Sequence, residues 1–316
     1  MADQNGQTTI DKLLSDHPFL LMDGGMGQEL IKRGVSDRSK LWSAQALVDD
    51  PDMVLGVHRD FVSAGADLLI TNSYATNPNR LRDFGMADQI GPMNRQAGEL
   101  AQKAANEVDR PVLVAASLPP LNGSYRPDHT LPTETTIPLY QEMLEHLGPY
   151  VDLVLIETMS TAEEARGAAI ASQDCGLPVW VSWTLRDDLS AKLRSGETIF
   201  EAVSHLEGLK VDGLIFNCSS PETLTAAMPA LAAVEGRNDR PFGGYANGFT
   251  EIPSDWRFRD GVHQLSARRD LDPAAYAEHI ASWYDQGARL LGGCCEVGPD
   301  HIRHLADWRD QMAKAA

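Results

Sequence analysis

Eight short apolar runs punctuate the chain, each ending in small or polar residues and each separated from the next by a helix-like stretch. They cover Phe19 to Asp23, Asp67 to Asn72, Val112 to Ser117, Leu153 to Glu157, Val179 to Thr184, Gly213 to Cys218, Phe242 to Asn247 and Leu290 to Cys294. Their hydrophobicity is continuous rather than alternating, which is the pattern of strands buried on both faces of a parallel sheet. Between them the spacing becomes helical. In Pro51 to Val62, the residues Met53, Val54, Val57, Phe61 and Val62 approximate one face. Thr161 followed by Glu163 and Glu164 reads as an N-cap with an acidic first turn, and Ser220-Pro221-Glu222 as a cap with proline at the first helical position. Ala274 to Gln286 predicts another helix before the last strand.

Eight strands joined by crossovers indicate an α/β fold, a closed (β/α)8 TIM barrel, with an open doubly wound sheet as the competing arrangement. No linker divides the chain, so residues 1–316 read as a single domain. The stretch from Leu118 to Thr136, rich in Pro, Asn, Gly, Asp and Thr, reads as a long loop over the active face.

In a barrel the carboxyl ends of all strands open onto one face. Here those ends bring together Asp23-Gly24-Gly25, Asn72-Ser73-Tyr74, Ser117, Glu157-Thr158, Asn217-Cys218, Tyr245-Ala246-Asn247 and Cys294-Cys295. Three cysteines at one end suit a soft metal, most naturally zinc with a fourth position open to substrate. A bridge between Cys294 and Cys295 would be strained, because adjacent α-carbons lie about 3.8 Å apart and disulfides span roughly 4.4 to 6.8 Å. Thiolate ligands on an open site favour alkylation of a substrate sulfur over activation of water. Cys175 precedes the fifth strand, at the opposite face, and reads as structural.

Asp23 and Glu157 offer carboxylates for an amino group, since buried acids require a cation. The turn Gly24, Gly25, Met26 and Gly27 offers backbone N–H groups to a carboxylate. Leu30 stands where a dinucleotide fingerprint needs its third small residue, which argues against that use of the turn. Asn72, Asn217 and Asn247 join the substrate-binding candidates from the same strand ends. Trp42 and Tyr74, with Trp183 and Tyr245 on later strands, offer aromatic faces that attract a cation by roughly 0.5 to 2 kcal/mol. His301 and His304 read as surface or packing residues, and no nucleophile elbow or P-loop is present.

Composition narrows the partners. Lys and Arg number 27 against 45 Asp and Glu, a net charge of −18, so a polyanionic partner such as nucleic acid is disfavoured. No apolar window approaches a membrane span, and the first residues lack the basic and apolar regions of a signal peptide, so a cytoplasmic protein is expected. Four cysteines in such a chain speak for metal or catalytic use rather than a disulfide framework. Homo-oligomerisation is left open.

Asp23-Gly24-Gly25-Met26-Gly27-Gln28-Glu29-Leu30, Leu41-Trp42-Ser43-Ala44, Thr71-Asn72-Ser73-Tyr74, Asn217-Cys218 and Gly292-Gly293-Cys294-Cys295 with Pro299-Asp300-His301-Ile302 resemble the homocysteine S-methyltransferase family. The resemblance runs from about Phe19 to Ile302. It implies a (β/α)8 barrel, Zn2+ held by Cys218, Cys294 and Cys295, homocysteine bound by Asp23, Glu157 and the glycine turn, and methyl transfer to the homocysteine sulfur. Thr158 stands where the betaine-using branch has tyrosine, and that branch's long C-terminal extension is absent. The resemblance therefore points to the shorter branch, whose cationic methyl donors are S-methylmethionine or S-adenosylmethionine. Betaine, dimethylsulfoniopropionate and a different thiol acceptor are the alternatives within the family. A zinc hydrolase on the same barrel and a non-catalytic redox sensor are the alternatives outside it.

Overall fold

The computed structural model describes residues 5–36, 41–250, 252, 253, 256 and 265–315. Its centre is a parallel barrel of eight strands: β1 Leu20–Leu21, β2 Leu68–Ile70, β3 Leu113–Leu118, β4 Leu153–Met159, β5 Val179–Trp183, β6 Gly213–Asn217, β7 Phe242–Ala246 and β8 Leu290–Gly293. The hydrogen-bonded order is β1-β8-β7-β6-β5-β4-β3-β2. A parallel bridge between Met22 and Leu68 closes the circle, with Asp23 N donating to Leu68 O at 2.9 Å and Asp67 N to Leu21 O at 2.7 Å. The closed alternative therefore holds over the open sheet.

Alternate residues of each strand point inward and outward, as the pleat requires. Leu20, Leu68, Leu113, Leu155, Trp180 and Ile215 fill the interior, while Leu21, Leu69, Val114, Ile156, Val181 and Leu291 pack under the surrounding helices. Both sets are buried, which is why the runs read as continuously apolar. Gly213 makes room within the interior: a Cβ there would meet the Trp180 indole at 2.7 Å.

The helices include α1 Asn5–Asp16, α2 Met26–Lys32, α3 Gln45–Asp49, α4 Pro51–Ser63, α5 Pro78–Asp83 and α6 Ile90–Ala105. The second half adds α7 Thr133–Leu147, α8 Ala162–Ala171, α9 Ile199–Ser204, α10 Pro221–Ala233, α11 Pro273–Asp285 and α12 Pro299–Ala315. Both expected caps form. Thr161 Oγ1 accepts from Glu164 N at 3.0 Å to start α8, and Ser220 Oγ from Thr223 N at 3.2 Å to start α10. The long loop is shorter than its composition suggested, because β3 extends to Leu118 and α7 already begins at Thr133. Helix α1, which was not among the expected elements, joins Ile10 and Leu13 to the interior cluster beside Leu20 and Leu290.

Candidate active site at the carboxyl ends of the strands

The carboxyl ends of the strands surround a cleft of about 760 Å3, its open mouth included. Cys218 follows the last residue of β6, and Cys294 and Cys295 follow β8 across β7. Their three sulfur atoms all lie within 4.8 Å of one another. Cys218 adopts φ 49°, the left-handed region that a non-glycine residue enters only under strong constraint.

The structure joins Cys218 and Cys294 as a disulfide with α-carbons 5.9 Å apart, and Cys295 is a free thiol. The sequence had suggested three unbridged thiols. An α-carbon separation of 5.9 Å lies within the range of a disulfide, so one backbone placement serves either a bridged pair or three sulfurs turned toward a common ion. The three sulfurs fit a soft cation, and Cys218, Cys294 and Cys295 form such a group without any histidine or carboxylate. Cys175 is a free, half-buried thiol on the α8–β5 connection, away from this group.

The carboxylates form the second part of the site. Glu157 and Thr158 fall where the register between β4 and β5 shifts, an irregularity of the kind that re-aims a side chain. Glu157 accepts from Ser117 Oγ through Oε1 and from Tyr245 OH at 3.0 Å through Oε2. Burial pushes its carboxyl up to about 7, against the opposing pull of these two hydroxyls. Asp23 accepts from Ile70 N at 2.9 Å through Oδ2, while its buried Oδ1 has no hydrogen-bond partner among the described residues. Burial lifts Asp23 well above the usual carboxylate range; the Ile70 hydrogen bond opposes this and the neighbouring charge of Glu157 adds to it. No lysine or arginine is among the described residues that line the cleft. Two desolvated acids without a protein cation make a binding place for a cationic group on a ligand.

Gly24, Gly25, Met26 and Gly27 line the cleft. Close packing explains the glycines: a Cβ on Gly24 would come 2.1 Å from Val297 O, and one on Gly27 2.3 Å from the Trp42 ring. Gly25 N already donates to Val297 O at 2.9 Å and Met26 N to Gly24 O at 3.0 Å, so these two amides bond within the protein.

The three asparagines take different places. Asn72 lines the cleft and donates to Ser43 O at 3.0 Å. Asn217 is buried off the lining; its Oδ1 accepts from Thr158 N at 2.9 Å and Ser182 Oγ at 2.7 Å, and its Nδ2 donates to Thr158 Oγ1 at 2.8 Å. These bonds hold Thr158 at φ 62° and so fix the peptide that follows Glu157. Asn247 is also buried off the lining, with Oδ1 accepting from Phe249 N at 3.1 Å.

The aromatic walls are larger than the sequence indicated. Trp42 and Tyr74 meet edge to face with centroids 6.0 Å apart. Tyr125 and Trp256, 5.5 Å apart, and Phe249 line the cleft with them. Tyr125 comes from the loop after β3, the stretch that composition had placed over the active face, but no residue pattern singled it out. Trp183 is buried in the layer under the helices and does not line the cleft. His301 stays outside it, bonded to Leu271 O.

Barrel, sulfur cluster and buried acids together make an α/β barrel whose candidate active site lies at the carboxyl ends of its strands. Residues 20–309 match the family model of homocysteine S-methyltransferase. The chain is 32% identical over 311 residues to a homocysteine S-methyltransferase of Escherichia coli (strain K12), covering 93% of this chain and 96% of that protein. The crystal structure of the homocysteine methyltransferase MmuM from Escherichia coli in its metallated form aligns with a TM-score of 0.80 at 30% identity, covering 95% of this chain and 99% of that one. The oxidised form of the same protein aligns with a TM-score of 0.79 at 30% identity, over 95% and 99% of the two chains. The chain belongs to the homocysteine S-methyltransferase family.

Proposed function

We propose that this protein methylates the sulfur of homocysteine to give methionine, with zinc held by Cys218, Cys294 and Cys295 and a sulfonium compound, S-methylmethionine or S-adenosylmethionine, as donor. The observation that carries the reading is the meeting, in one aromatic cleft, of three sulfurs within 4.8 Å and the buried Glu157, with Asp23 buried behind the lining and no lysine or arginine among the described lining residues. Bound by the three sulfurs, zinc would supply the Lewis acidity that lets an incoming thiol ionise near neutral pH, against an ordinary thiol pKa of about 8.5.

The chain's own residues account for binding and orientation. Asp23 and Glu157 take the ammonium of homocysteine, and Ser117 and Tyr245 hold the Glu157 carboxylate in place. Trp42 and Tyr74 offer π faces to the positive donor, an attraction of roughly 0.5 to 2 kcal/mol for each well-placed ring, whereas the Tyr125 ring already carries the Arg194 guanidinium 4.9 Å from its centroid. In the transfer the homocysteine sulfur attacks the methyl carbon, the methyl–sulfonium bond breaks, and the donor leaves as a neutral thioether with the bonding electron pair. The thiol proton goes to solvent before the attack. Positioning of the two reactants supplies much of the rate. An all-cysteine metal site is at home in a reducing compartment, which supports the cytoplasm as its location. No helix among the described residues is long and apolar enough to cross a membrane.

The test is methionine formation by the reduced, zinc-loaded protein with S-methylmethionine, S-adenosylmethionine, betaine and dimethylsulfoniopropionate offered separately. Turnover with either of the first two is expected. Stoichiometric zinc without methionine from any donor would refute the assignment.

A further inference from the structure

Tyr125 lines the cleft from the loop that follows β3, with its backbone in the left-handed region at φ 62°. Its ring is held from another strand. The guanidinium of Arg194 lies 4.9 Å from the ring centroid, while Arg194 itself does not line the cleft. Arg194 belongs to the connection between β5 and α9, which folds back on itself through antiparallel bridges from Leu185 to Leu193 and from Lys192 to Thr198. Its side chain is 11% exposed, and Nη2 donates at 2.9 Å to Oδ2 of Asp187, whose side chain is 9% exposed. A largely buried, paired guanidinium has little freedom to leave the ring, and its planar face suits stacking on an aromatic one.

The same connection grips the chain at the sulfur cluster. Asp187 accepts from Ser220 N at 3.1 Å through its other oxygen. Thr184 Oγ1 donates to Cys218 O at 3.2 Å, and Leu185 N donates to Ser219 Oγ at 2.8 Å. Residues 218–220 and the Tyr125 ring are therefore held from one loop, with the Asp187–Arg194 pair spanning the distance between them. On the cleft side, Tyr125, Trp42 and Cys295 pack against the cluster of Phe249 and Trp256, away from the hydroxyls of Ser117 and Tyr245 that hold Glu157.

We propose that Arg194 is a positioning residue for the methyl donor: through Tyr125 it fixes the aromatic side of the cleft relative to the sulfur cluster, and so places the donor's methyl against the homocysteine sulfur. The inference rests on the proposed function and deepens it, because Arg194 acts from behind the wall and touches neither substrate. Asp23 and Glu157 make no contact with this loop in their hydrogen bonds, so the acceptor's ammonium site is independent of it.

A double-mutant cycle in the reduced, zinc-loaded enzyme tests the assignment, with Arg194→Met, Tyr125→Leu and the two combined. Each variant is assayed for zinc content, for the homocysteine KM and for the KM of the sulfonium donor, S-methylmethionine or S-adenosylmethionine. Arg194→Met should raise the donor KM roughly twofold to thirtyfold, the scale of one cation–π contact, with zinc content and the homocysteine KM kept. Tyr125→Leu should also raise the donor KM, and adding Arg194→Met to it should change that KM by less than about twofold, because the arginine acts through the ring. Additive effects overturn the proposal. So does a rise that falls equally on both substrates, the mark of a general structural role. Arg194→Lys leaves Asp187 a cation, but one ammonium cannot serve both the carboxylate and the ring as a planar guanidinium does. It carries the same cycle if Arg194→Met does not fold: a smaller rise in donor KM that vanishes in Tyr125→Leu supports the proposal, and an unchanged donor KM overturns it. Wild-type turnover with a donor KM indifferent to Arg194 refutes the positioning role alone, whereas no wild-type turnover with either donor refutes the sulfonium-donor reading on which it rests.

Discussion

Glu157→Gln should make the ligand-free protein more stable at alkaline pH while damaging substrate binding. Glu157 is buried and its carboxyl stands at about 7, above its ordinary 4.5, because burial disfavours the charged form. A carboxyl whose pKa is raised on folding binds more protons in the folded than in the unfolded state between those two values. Its contribution to stability therefore falls as pH rises from about 4.5 through about 7, and stays lowered above. At roughly 1.4 kcal/mol per pH unit, the full loss is about 3 kcal/mol. Glutamine keeps the shape and removes the titration, but its amide must face the hydroxyl of Ser117 or Tyr245, at a cost of about 1 kcal/mol for the rearranged hydrogen bond. The variant should thus gain about 2 kcal/mol at pH 8 and lose slightly at pH 5. Relief of the repulsion on Asp23 acts in the same direction. Urea unfolding of both reduced proteins between pH 5 and 8 measures this. The homocysteine KM of the wild type should rise about tenfold for each pH unit below 7, as the acid that receives the ammonium becomes protonated. The variant should start from a higher KM and lose that pH dependence. A stability difference that does not change between pH 5 and 8 would refute the desolvated-acid account of this site.

Three further outcomes are expected. Cys294→Ala, dialysed after reduction and zinc loading, should lose its metal by elemental analysis and nearly all methyl transfer; a variant retaining both would break the ligand assignment. Asp23→Ala should keep zinc and raise the homocysteine KM by roughly tenfold to a hundredfold, the worth of one charged contact, and unchanged kinetics would remove Asp23 from the site. Tyr276→Phe removes a hydroxyl that accepts from Ala246 N at 3.1 Å and donates to Gly292 O at 2.7 Å, so it should lower stability by about 1 to 2 kcal/mol in denaturant titrations.

The strands were legible because a parallel barrel buries both faces of each one, which leaves runs such as Leu153 to Glu157 without polar interruption. The ends were less so. β1 reduces to Leu20–Leu21 because Met22 continues only as an isolated bridge to Leu68. The sulfur cluster followed from topology alone, since β6 and β8 deliver their last residues to one end with β7 between them. Asn217 and Asn247 lie at the right end of their strands, yet their amides are buried in backbone clamps. Position along a strand gives the end of the barrel and not the direction of a side chain. Tyr125, Phe249 and Trp256 escaped notice because loops carry them, and no periodicity orients a loop. The Cys218–Cys294 pairing depends on a distance across the barrel that spacing in the sequence does not encode.

The contact between the glycine turn and the cysteine pair has a consequence for the order of assembly. A Cβ on Gly25 would lie 2.8 Å from Cys294 O and 3.0 Å from the Cys295 α-carbon, so the first strand's exit and the last strand's exit touch backbone to backbone. Nearly the whole chain separates them, and contacts of such long range form late because the intervening loop must first be closed. During synthesis Cys218 emerges well before its two partners, and the acids meet the sulfurs only when β8 docks beside β1. Metal uptake would then report ring closure itself, and a newly made chain would carry a dispersed set of ordinary thiols until its final strand arrives.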